Sequence, residues 1–158
     1  MIFDVEADGL LAEATKIHCM SFTADGIPMS STSDYNAMKN ILLNQKVLIG
    51  HNIIRYDVPL LEKILGIKIK AKLYDTLPMS WVINTDRPKH GLESFGEDFG
   101  IPKPEITDWV NLSEDEYIHR CQEDVKINCK LWENLIQKFM MVYKDKNNLD
   151  RFLQYLSF

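Results

Sequence analysis

The chain has few cysteines: Cys19, Cys121 and Cys129 are the only ones in 158 residues, and no two form a C-x-x-C. An odd count without a close pair excludes a disulfide framework and a zinc knuckle, and reads as reduced thiols in a cytosolic protein. A basic excess is also missing. The formal net charge is −5, which argues against a domain that holds nucleic acid by bulk charge. It leaves room for an enzyme that meets phosphates through bound cations. No run approaches the ~18 apolar residues of a membrane span. The chain reaches Asp4 and Glu6 before any apolar run develops, so no signal peptide is expected. Gly91, Gly96 and Gly100 do not form a nucleotide-binding G-x-G-x-x-G, and no Walker motif is present, so ATP use is not expected. Repeats, low-complexity tracts and Pro/Ser-rich linkers are absent, and a single domain over residues 1–158 is expected.

What is present suits a buried core: 46% of the residues are apolar. Met1–Ala7 has strand character and ends in the turn signal Asp8-Gly9. Thr15–Thr23 reads as a second strand, and Asp25-Gly26 as a hairpin turn into a third, Ile27–Ser30. Ser33 is the expected cap of a helix to Leu43. Lys46–Gly50 reads as a buried strand, and Asp57–Leu65 as a helix that tolerates Pro59 in its first turn. Two shorter helices are expected over Asp75–Val82 and Gly91–Phe99. Ser113-x-x-Glu116 is a capping box opening a long helical stretch to about Tyr143. A terminal helix is expected over Asn148–Phe158. This order predicts an α/β domain with a mixed sheet.

Three segments carry chemistry. In Phe3-Asp4-Val5-Glu6-Ala7-Asp8-Gly9-Leu10-Leu11, Asp4 and Glu6 are two apart on a strand and share a face. Two adjacent carboxylates resist ionising, a cost that a divalent cation turns into binding, because hard cations take several oxygen ligands. A solvated edge strand is the plain alternative for a lone D-x-E. In Gly50-His51-Asn52-Ile53-Ile54-Arg55-Tyr56-Asp57, polar residues follow a strand end, where open α/β sheets place ligands. Asp57 there also suits the macrodipole of a helix start. In Tyr117-Ile118-His119-Arg120-Cys121-Gln122-Glu123-Asp124, a histidine precedes an aspartate by five positions on a helix.

Taken together, Asp4, Glu6, Asp57 and Asp124 resemble the motifs of the DEDD superfamily of 3′–5′ exonucleases. The resemblance runs from Phe3 to about Leu135. The front half, with Asp75-Thr76-Leu77 and His90-Gly91-Leu92-Glu93-Ser94-Phe95-Gly96 in the same order, is similar to the proofreading domain of bacteriophage family A DNA polymerases. The resemblance implies a ribonuclease H-like fold and a cytoplasmic setting in a bacterial or phage-infected cell. It also implies two Mg²⁺ or Mn²⁺ ions on those four carboxylates, one activating the attacking water and one stabilising the leaving 3′ oxygen. The substrate implied is the 3′ end of single-stranded DNA, cleaved to nucleoside 5′-monophosphates.

The superfamily's last motif carries either a tyrosine four residues before the final aspartate or a histidine five before it. Here those positions are Arg120 and His119, so the chain looks like the histidine subtype, with His119 as general base. An imidazole near pKa ~6.5 suits that role. On an uninterrupted helix, however, a five-residue offset turns the side chain by ~140°, while Arg120 is only ~40° off and Tyr117 ~20° off. The assignment therefore predicts a helix break near Tyr117–Arg120. Tyr117, or a metal-bound water network alone, is the alternative.

On the substrate side, Asp8 belongs to the first motif, and Leu10 or Leu11 resembles the family's wedge between terminal bases. Asn52 and Tyr56 are candidate contacts for the terminal nucleotide, and His90 for a phosphate. Lys63, Lys68, Lys70 and Lys72 read as a solvated face or a nucleic-acid track. A ribonuclease H-like endonuclease, an RNA-directed 3′–5′ exoribonuclease and a non-catalytic nucleic-acid-binding module are the competing readings.

Overall fold

Alternation decides the first strand. Phe3 and Val5 are 1% and 5% exposed, which fixes one face of the strand against the core and leaves Asp4 and Glu6 on the other. The structure is a computed structural model that describes residues 1–108, 111–144 and 146–156. Among the described residues five strands form one sheet: β1 (Ile2–Ala7), β2 (Ile17–Ala24), β3 (Ile27–Thr32), β4 (Val47–Gly50) and β5 (Lys72–Asp75), in the order β3-β2-β1-β4-β5. β1, β2 and β3 are antiparallel neighbours, and β4 and β5 add in parallel. The register slips between Glu6 and Ala7, where β1 leaves the sheet. Such an irregularity re-aims side chains at a strand end.

The helices are α1 (Tyr35–Leu43), α2 (Asp57–Leu65), α3 (Thr76–Ile83), α4 (Leu92–Phe99), α5 (Glu114–Tyr143) and α6 (Lys146–Leu156). One core packs α1 and α2 on the sheet through Met38, Leu42, Leu60, Leu61 and Leu65 against Phe3, Val5, Met20 and Leu48. A second joins α3, α4 and α5 through Met79, Leu92, Phe95, Ile127, Leu131 and Leu135. α5 also crosses β1 and β2, with the Cys121 thiol donating to the Asp4 carbonyl at 3.2 Å. The carboxylate face of β1 therefore looks at α5. No helix among the described residues is long and apolar enough to cross a membrane.

Four details differ from the sequence expectation. The cap of α1 is Asp34, whose carboxylate accepts from the Asn36 and Ala37 amides. Ser33 instead donates to Glu114 at 2.6 Å. β5 is a strand that its short, lysine-led sequence does not announce. It survives because it pairs along the whole of β4, ending with Gly50 opposite Asp75. The terminal helix starts at Lys146, and Ser157 and Phe158 lie outside the described residues. Most consequentially, α5 has no break at Tyr117–Arg120: it runs unbroken for 30 residues from a complete capping box at Ser113 and Glu116.

Two glycines permit close approaches that bring the parts together. A Cβ on Gly50 would overlap the Ile53 side chain and sit 3.2 Å from the Phe3 carbonyl. A Cβ on Gly96 would lie 2.5 Å from the Ile101 carbonyl and 2.8 Å from Ile127 Cδ1. The chain leaves α4 through left-handed Gly100 (φ 68°), with the Ile101 amide bonded to the Gly96 carbonyl at 2.8 Å. That closure sends residues 101–108 back past α5.

Candidate metal centre

The carboxylates converge because β1, the start of α2 and the N-terminal third of α5 meet at one place. β1 contributes Asp4 and Glu6, the first turn of α2 contributes Asp57, and α5 contributes Asp124. Together with His51, Asn52, Tyr56, Lys103 and Arg120 they line one cleft of about 220 Å³. One oxygen each from Asp4, Glu6 and Asp124 lies within 4.8 Å of the others. Asp57 borders the same cleft and faces Asp4 electrostatically, but it stands outside that tight trio.

Burial makes this cluster costly. Asp57 and Asp124 are only 3% and 5% exposed. Burial pushes Asp57 up to about 7, against backbone hydrogen bonds that hold it down and with Asp75 and Glu6 adding repulsion. Asp4 is pushed well above the usual carboxylate range by burial, then by Cys121, Asp57, Asp124 and Glu6. Glu6 and Asp124 are raised by burial too, opposed by Arg120 and Lys103 respectively. Arg120 donates to Glu6 at 2.9 Å. The Lys103 ammonium donates to Asp124 Oδ2 at 2.9 Å and lies 2.8 Å from Oδ1, yet Oδ1 makes no directed hydrogen bond. A structural cluster gains nothing from such repulsion. An all-oxygen donor set, buried and mutually repelling, fits a hard divalent cation.

The helix geometry corrects the role of His119. On the unbroken α5 the side chain is turned ~140° from Asp124. It is exposed and takes no part in lining the cleft. Arg120, four residues before Asp124, shares its face and holds Glu6 instead. Tyr117 is also removed from the cleft, stacked on His18 with ring centroids 3.9 Å apart.

The expected substrate residues divide. Asn52 and Tyr56 line the cleft. Asn52 adopts a left-handed backbone (φ 65°), which Asn tolerates, and its amide donates to Asp75 at 2.7 Å. Asp75 also accepts from Ile54 and Leu77, so it ties the segment after β4 to the start of α3. Tyr56 Oη donates to the Gly9 carbonyl at 2.6 Å. Leu10 is 73% exposed on that loop. Lys63 pins the same loop through the carbonyls of Leu11, Ala12 and Ala14. Asp8 is spent on its own loop, accepting from the Thr15 hydroxyl and the Thr15 and Lys16 amides. Those bonds hold its carboxyl down at about 2. His90 lies 2.8 Å from the Ser80 hydroxyl and is not among the residues lining the cleft.

Three cleft residues escaped the sequence reading. Lys103 stands alone between prolines and carries no motif. Arg120 was visible only as the residue that helix geometry points toward Asp124. His51 follows the strand end directly. Its Nδ1 is 2.9 Å from the Thr76 hydroxyl, which donates to Asn128 at 2.7 Å. Nε2 is buried at the cleft and has no hydrogen-bond partner. Burial lowers this imidazole to about 4, so it is neutral at neutral pH.

No protein-family model and no curated protein matches the chain. Solved structures do. NrnC of Brucella melitensis superposes with a TM-score of 0.71 at 18% identity, over 98% of this chain and 80% of that one. The fold is ribonuclease H-like. The same neighbour bound to Mg²⁺ gives 0.69 at 18% identity over the same shares, and bound to pGG gives 0.70 at 17% over 98% and 79%. The family B DNA polymerase of the hyperthermophilic archaeon Pyrobaculum calidifontis matches at a TM-score of 0.61 and 14% identity, covering 85% of this chain and 24% of that one. At these identities the likeness is one of fold, a mixed sheet flanked by helices that other chains use to carry nuclease chemistry.

Proposed function

We propose that this protein is a divalent-metal-dependent 3′–5′ exonuclease that releases nucleoside 5′-monophosphates from the 3′ end of single-stranded DNA. The observation that carries the reading is the meeting of Asp4, Glu6, Asp57 and Asp124 in one cleft, with three of them within 4.8 Å. Two Mg²⁺ or Mn²⁺ ions held by these carboxylates would supply Lewis acidity for phosphodiester hydrolysis.

The chain's own residues do the rest. Arg120 fixes the Glu6 carboxylate in one orientation by its 2.9 Å bond. The Cys121 thiol does the same for Asp4, donating to its backbone carbonyl and lying 3.5 Å from its side chain. The partnerless Nε2 of His51 is placed to hydrogen-bond a sugar hydroxyl or a water. Tyr56 and Lys63 hold the loop that presents Leu10, whose exposed side chain packs against the terminal base. With His119 turned away, the proton of the attacking water passes to solvent in the open cleft.

The pGG complex of the fold neighbour favours a second reading, in which very short oligonucleotides are the preferred substrate. Oligomers of two to twenty nucleotides, DNA and RNA, labelled at the 5′ end, separate these readings with Mn²⁺, Mg²⁺ or EDTA. A ladder shortening by one nucleotide from the 3′ end is expected with metal and none with EDTA. Internal cuts would point to an endonuclease, and no hydrolysis on any substrate would overturn the proposal.

A further inference from the structure

A dication is not the only cation with a claim on Asp124. The Lys103 ammonium straddles that carboxylate, 2.8 Å from one oxygen and 2.9 Å from the other. Oxygen ligands hold Mg²⁺ at ~2.0–2.1 Å, so an ammonium and a metal cannot both occupy this approach to Asp124.

The backbone around Lys103 is stiff. Its neighbours are Pro102 and Pro104, which restrict it to extended conformations. Ile101 packs into the core beneath α4 and α5. The four-carbon stem is what can move. Arg120 differs: it rises from the second turn of a packed helix and is held on Glu6.

We propose that Lys103 is a tethered counter-ion for Asp124 that an incoming metal ion displaces, and that the displaced ammonium then binds the scissile phosphate. The inference rests on the metal-dependent hydrolase reading. The tether explains how a buried acidic cleft folds at neutral pH: Lys103 and Arg120 offset two of its charges until metal arrives. It also keeps a cation at the cleft wall beside the anionic substrate. Competition and substrate binding have opposite signs for the same side chain. Removing it tightens metal binding and slows turnover.

The test is Mn²⁺ titration of chelator-stripped protein by calorimetry for wild type, Lys103→Met and Lys103→Arg, followed by turnover at saturating Mn²⁺. The Lys103→Met variant is expected to bind Mn²⁺ about tenfold more tightly, within the usual range of coupling between two ligands, and to turn over at least ~10-fold more slowly. The Lys103→Arg variant keeps the competing charge and is expected to bind Mn²⁺ like wild type. Equal or weaker Mn²⁺ binding by Lys103→Met overturns the displacement, and unchanged turnover overturns the phosphate contact. If wild type itself binds no Mn²⁺, the metal reading fails, an outcome distinct from either of these.

Discussion

Replacing Asp57 by asparagine separates stability from function at a single atom. Burial raises the Asp57 carboxyl from an ordinary 3.8 to about 7. In the folded protein it therefore keeps its proton where the unfolded chain has lost it. Between pH 4 and 7 the native state binds more protons than the unfolded one, so stability falls as pH rises through that window. At pH 8 the folded protein carries the full cost of an ionised buried group, roughly 4 kcal/mol at ~1.4 kcal/mol per pH unit. Asparagine has no charge to bury, and its carbonyl oxygen still accepts the backbone hydrogen bonds. Asp57→Asn is expected to raise Tm at pH 8 in EDTA by roughly 8–16 °C for a chain of this size, with the gain shrinking toward pH 4. Saturating Mn²⁺ reverses the order, because ligand binding to the native state stabilises the wild type more. Differential scanning calorimetry at pH 4.5 and 8, with EDTA or Mn²⁺, reads all four conditions. Equal or lower Tm for the variant at pH 8 in EDTA would refute the electrostatic reasoning.

Two further outcomes are expected. His119→Ala should keep turnover within about twofold of wild type, because the side chain is exposed and outside the cleft. A loss of the ~10²-fold size typical of a general base would restore His119 to the mechanism. Gly96→Ala should destabilise by about 1–3 kcal/mol, since its Cβ meets the Ile101 carbonyl at 2.5 Å. Chemical denaturation measures the loss, and a neutral substitution would show that α4 and α5 can separate freely.

Much of this was legible in the sequence because local signals and burial agreed. The D-x-E alternation of β1 placed its carboxylates on one face. The capping box set the start of α5, and Pro59 in the first turn of α2 put Asp57 beside the strand ends. β5 was not legible, since four residues pairing in parallel with a distant strand leave no local period. Nor was Lys103, whose approach to Asp124 depends on the turn at Gly100 and the packing of Ile101. His119 is the instructive miss. Helix geometry favours Arg120 over a residue five positions from Asp124, whereas the family pattern favours the histidine. The structure sides with the geometry: the capping box starts a helix that nothing interrupts for 30 residues.

Asp4, Glu6, Asp57 and Asp124 are expected to chelate divalent cations. A crystal soaked in Mn²⁺ and measured at an anomalous wavelength tests it most directly. Two peaks among these four side chains, with Lys103 withdrawn from Asp124, are the predicted result. A cleft without anomalous density at saturating Mn²⁺, or density bound only elsewhere on the protein, would contradict it.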